Sequence, residues 1–118
     1  MSTADMPLPP ELRERIADLA RAEHRPRAAS VSALTMVQER FGWVSDAHLV
    51  ETASLLGMSP ADLDGIATYF NLIFRHPVGR HVIMLCDSIS CWIMGRAAVC
   101  EPLHSPLALR PGATPPAG

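Results

Sequence analysis

The sequence predicts an α+β protein: a small N-terminal helical bundle, then a short strand–loop–helix segment. Three observations carry that expectation. Apolar residues recur at helical spacing through the first part of the chain, between Ser, Pro and Gly punctuation. An apolar run with β-branched members, HVIMLC over residues 81–86, is too short for a helix and reads as a strand. A loop bounded by Cys86 and Cys91 then leads into WIMGRAAVC, which reads as a helix beginning near the second cysteine.

Taken in order, Pro9-Pro10 opens the first helix, ELRERIADLARAEH, with Leu12, Ile16, Leu19 and Ala20 along one side. HRPR ends it, because Pro26 disfavours helix at the residue before it. Ser30 or Ser32 caps a second helix reaching about Arg40, with Val31, Leu34, Thr35 and Gln38 on one side and Gly42 at its end. Ser45 opens a third, DAHLVETASLL, which Gly57 closes. Ser59-Pro60 starts a fourth, PADLDGIATYF, directing Leu63, Ile66, Ala67 and Phe70 inward. Trp43, Tyr69, Phe70 and Phe74 read as packing residues, and His24, His48 and His81 as surface or capping residues. Nothing in this stretch has the spacing of a catalytic or ligand set. From Pro102 onward, five Pro and two Gly without periodicity predict a loop or a disordered tail.

Chemistry concentrates at Cys86 and Cys91. Soft thiolates suit iron and zinc, and a four-residue loop can carry two sulfurs to one metal. A helix start nearby adds positive partial charge. Asp87 opposes it with negative charge, while Ser88 and Ser90 offer hydroxyl donors. The spacing alone leaves alternatives open. Two cysteines five apart are also met as buried packing residues. Cys100 and His104, in CEPLH, would complete a Cys3His zinc set by ligand type. Against that stands helix geometry: a continuous helix after Cys91 would put Cys100 on its far face.

Composition excludes several classes. Ten Arg and no Lys against twelve acidic residues leave a net charge of −2, and the Arg are scattered, so nucleic acid is not an expected partner. No stretch is apolar enough to span a bilayer, and MSTADMPLPPELRER lacks the layout of a secretory signal. Three cysteines without such a signal point to thiols or metal ligands rather than disulfides. No G-x-G-x-x-G follows a strand, so NADH is not expected to bind this chain itself.

The stretch RAASVSALTMVQERFGWVSDAHLVETASLLGMSPADLDGIATYFNLIFRHPVGRHVIMLCDSISCWIMG resembles the E subunit, the thioredoxin-like [2Fe–2S] component, of bacterial NADH:quinone oxidoreductase, respiratory complex I. The likeness includes the GWVSD turn, LGMSPADLDGIATYF, HPVGRHVIMLCD and the C-x4-C pair. It implies a helical bundle over residues 9–75, the start of an incomplete thioredoxin-like (α/β) domain over 78–101, and a Pro-rich tail over 102–118. It implies that Cys86 and Cys91 are two of the four ligands of a [2Fe–2S] cluster. The family's other two, a C-x3-C pair further along, are not in these residues, so a C-terminally truncated member is expected.

The implied role is electron transfer beside the flavin of the NADH-oxidising subunit. The implied partners are that flavin- and NADH-binding subunit and others of the peripheral arm. The implied place is cytoplasmic, peripheral to the inner membrane through the complex, without direct membrane insertion. Two alternatives go with it: a cluster-free docking module for the flavoprotein subunit, or a component of a related NAD-linked hydrogenase or formate dehydrogenase.

Overall fold

The structure, a computed structural model, describes residues 2–116. It divides after Pro77 into two units, the second beginning at Val78.

The first unit is built on four helices: α1 (Pro10–Ala22), α2 (Ser30–Phe41), α3 (Asp46–Leu56) and α4 (Pro60–Tyr69). Short 3-10 turns over Thr3–Asp5 and Pro26–Ala29 precede α1 and α2. The helix ends follow from local chemistry. Pro10 and Pro60 occupy first-turn positions, where a missing N–H costs nothing. Ser45 and Ser59 accept from His48 N at 3.2 Å and Asp62 N at 3.1 Å, capping α3 and α4. Gly42 (φ 84°) and Gly57 (φ 65°) take the left-handed conformation that ends α2 and α3.

Helix α3 packs on α1, α2 and α4, and α2 also on α1 and α4. The core holds Ile16, Leu34, Val37, Val44, Leu49 and Leu63. Each contributes about 1.5–3 kcal/mol by leaving water.

Several expectations for this unit need correction. Helix α2 is capped at Ala29 without a side-chain bond. Ser30 lies inside it, donating its hydroxyl to Arg27 O at 2.6 Å. Its buried side is Ser30, Ala33, Leu34 and Val37, one step round from the Val31–Gln38 side, because α2 is covered by α1, α3 and α4 together. Tyr69 is 81% exposed and Phe70 is also exposed, so neither is a core residue; α4 has ended by Phe70.

His48 is not at the surface but fully buried. Its ring stacks on Phe41 with centroids 4.1 Å apart. Its Nε2 lies 2.8 Å from Met6 O, which can only accept, so Nε2 carries the proton, and buried Nδ1 has no partner among the described residues. The same face of α3 holds down the N-terminal segment at other points. Ser45 Oγ donates to Ala4 O at 2.8 Å, and Glu51 accepts from Leu8 N at 3.2 Å while pairing with Arg13 at 2.8 Å.

After α4 the chain is fastened back to the bundle. The Gln38 amide donates to Leu72 O at 2.7 Å and accepts from Phe74 N at 2.6 Å. Val44 N donates to Phe74 O at 2.8 Å. The Arg75 guanidinium donates to Asp64 at 2.8 Å, to Asp46 at 2.6 Å and to the Val44 carbonyl. Partial burial pulls the Arg75 pKa down, but the bonds to Asp64 and Asp46 outweigh it and hold it above its ordinary value.

The second unit contains two helices, α5 (Ile89–Ile93) and α6 (Arg96–His104), which pack on each other. Here the α+β expectation fails, because the described residues contain no strand. Residues 82–87 have no regular secondary structure, and Val82, Ile83 and Met84 are exposed. The physical reason is that a strand exists through its ladder. Apolar, β-branched composition gives a preference, but no described segment pairs with this one. The chain is all-helical over its described residues.

Candidate metal centre

Cys86 lies at the end of that irregular segment, and Cys91 is the third residue of α5. The helix therefore begins before the second cysteine rather than at it, because Ser88 caps it. Ser88 Oγ accepts from Cys91 N at 3.4 Å and lies 3.1 Å from Cys86 Sγ. One hydroxyl thus stands between the first cysteine's sulfur and the second cysteine's backbone.

Cys86 is exposed and Cys91 half-buried. The Cys86 thiol is held below its ordinary pKa, first by the Ser88 hydroxyl, then by the Ser88 backbone N–H and the Cys91 side chain. The Asp87 carboxylate works in the opposite direction. An easily formed thiolate is the form that binds soft metals.

Sequence reasoning named Ser88 and Ser90 as hydroxyl donors, and Ser88 is the one placed against a cysteine. It missed Arg96, whose Nε donates to Cys86 O at 3.0 Å. It also missed Gly95 (φ 99°), where the chain turns between α5 and α6. The signal for both was the Gly-Arg step, which a single continuous helix had absorbed. Cys100 is therefore not placed by one uninterrupted helix from Cys91. It lies on α6, where Trp92, Arg96, Ala97, Cys100, Glu101 and His104 line a shallow surface hollow.

Among the described residues, no three of His, Cys, Asp and Glu stand together in a metal-holding group. The Cys3His zinc set is not assembled. Cys86 and Cys91 are free thiols, the ligand type a [2Fe–2S] cluster takes, and among the described residues Cys100 and His104 do not join them in a metal-holding group.

Residues 15–118 match the model of the thioredoxin-like [2Fe-2S] ferredoxin family, and the chain belongs to that family. Among curated proteins it is similar to the NADH-quinone oxidoreductase E subunits of Salmonella typhimurium and of Escherichia coli, each 46% identical over 89 residues. The E subunit of the Pseudomonas aeruginosa enzyme is 43% identical over 89 residues. These alignments take in 75% of this chain and 54% of each relative, so the chain spans about half the length of the curated relatives it matches.

Proposed function

We propose that this chain serves electron transfer in an NADH:quinone oxidoreductase, holding half of a [2Fe–2S] site through Cys86 and Cys91. The observation that carries the reading is the Ser88-linked cysteine pair, in a chain 46% identical to proteins named as the E subunit of that enzyme. A bound [2Fe–2S] cluster accepts and releases one electron; it does no acid–base work. The chain's own residues bind and orient. Cys86 and Cys91 supply thiolates, Ser88 supports the first sulfur, and Arg96 fixes the carbonyl end of the loop.

In this proposal residues 9–75 dock on the flavin- and NADH-binding subunit within a peripheral arm, residues 78–101 bring the thiolates to the flavin, and 102–118 form a tail. A group held by those thiolates would receive electrons from the flavin of that partner. No helix among the described residues is long and apolar enough to cross a membrane. A position on the cytoplasmic side, peripheral to the inner membrane through the complex, accords with that.

Anaerobic reconstitution with ferrous iron, sulfide and dithiothreitol, beside the flavoprotein subunit, tests the reading. A [2Fe–2S] absorption and paramagnetic resonance signal, abolished by Cys86→Ser or Cys91→Ser, is the expected outcome. A colourless product, or a signal indifferent to both substitutions, removes electron transfer. Because no three candidate ligands stand together among the described residues, a second reading is kept: an iron-free docking module. Co-purification with the flavoprotein subunit without iron would favour that one.

A further inference from the structure

We propose that Ser88 is a positioning residue of the metal site, whose one hydroxyl sets the Cys86 sulfur and the Cys91 backbone to face the same ion. The inference rests on reading Cys86 and Cys91 as paired metal ligands.

A serine hydroxyl has one hydrogen to give and two lone pairs to receive with. At Ser88 one lone pair takes the Cys91 N–H at 3.4 Å. In the free thiol, Cys86 S–H donates to the Ser88 oxygen with Sγ 3.1 Å away, and the hydroxyl's own hydrogen is used in neither bond. A metal-bound thiolate has no proton to donate, so in the loaded site the direction is fixed and the hydroxyl donates to sulfur. The two cysteines sit on segments of different kind, one irregular and one helical, and Ser88 is the side chain that touches both. Removing it frees Cys86 to move independently of α5.

Capping and sulfur support are separable. Gly at a cap position costs a helix only a few tenths of a kcal/mol relative to Ser, yet has no hydroxyl. Thr keeps the hydroxyl.

The test uses the full chain carrying Cys100→Ala, titrated with cadmium ion alone and followed by sulfur-to-cadmium charge-transfer absorption. Ser88→Gly is expected to weaken cadmium binding by about 10–100-fold, the usual cost of losing a ligand's supporting hydrogen bond. It should also move the band to longer wavelength, because an unsupported thiolate gives up charge more easily. Ser88→Thr should restore both, with the helical circular dichroism unchanged throughout.

An unmoved band with unchanged affinity in Ser88→Gly overturns the role of Ser88. Absence of any charge-transfer band in the parent chain overturns the paired-ligand reading beneath it. A cadmium result as expected, alongside failed iron–sulfide reconstitution, removes the cluster reading and upholds Ser88.

Discussion

At Cys86 the donors around a single sulfur decide its behaviour. The Ser88 hydroxyl, the Ser88 N–H and the Cys91 side chain stabilise its thiolate more than Asp87 opposes it, so the native thiol ionises below its ordinary value. Unfolding removes those fixed donors and returns the thiol to that value. With pH rising, the thiolate therefore appears earlier in the native chain than in the unfolded one. Iodoacetamide labelling of Cys86, mapped by mass spectrometry across pH, should show a lower midpoint in buffer than in urea. Coincident midpoints would mean that the loop donors are not in place. Because the group is exposed, the linked gain in native stability above that pH range is small, and reactivity is the readout. The pair of cysteines was legible in the sequence, since their spacing is written there. The Ser88 bridge was legible only as a donor type, because which of two nearby serines faces a sulfur depends on where α5 starts.

Helix ends were the most readable feature of the elements. Ser45, Gly57 and Ser59-Pro60 stand where a cap or stop is needed: α3 begins and ends on the first two, and α4 begins on the third. Helix faces were less readable. Spacing places the α2 stripe one step off because three neighbours, α1, α3 and α4, share its cover, and it does not reveal that His48 lies on the buried side of α3. How the elements are joined was not readable at all. Arg75 lies beyond α4 in sequence, yet its guanidinium binds Asp46 at the start of α3, Asp64 in α4 and the Val44 carbonyl between α2 and α3. Its side chain is only 17% exposed, but its partners Asp46 and Asp64 are 96% and 46% exposed, so solvent screens these pairs in part. Arg75→Ala should lower the stability of the chain to urea by about 1–2 kcal/mol, most of it from the bond to the Val44 carbonyl and the better-covered Asp64. Arg75→Lys should recover less than half of that, because an ammonium cannot reproduce the three-way fork. A loss within error for Arg75→Ala would show that the fork adds nothing to the bundle.

On the scale of the whole molecule, the two units differ in how much they bury. The first carries the entire buried core, whereas from Val78 onward no described residue is buried, and Trp92 and Met94 are 70% and 85% exposed. Local opening costs least where few apolar contacts close over the backbone. Hydrogen exchange should therefore find the amides of α1 to α4 protected and those of residues 81–104 exchanging much sooner. Equal protection in both would contradict this division. It also explains why the strand could not be read correctly from composition: HVIMLC announces an apolar preference, while pairing and cover must come from other residues.

The Gln38 side chain reaches across the bundle to hold residues 72 and 74 with the two different ends of one amide. A carboxylate of the same shape could serve the Phe74 N–H but would set oxygen against the oxygen of Leu72. Slow hydrolysis of that amide, an ordinary form of chemical ageing, would therefore unbutton the chain just ahead of the cysteine segment while leaving every helix intact.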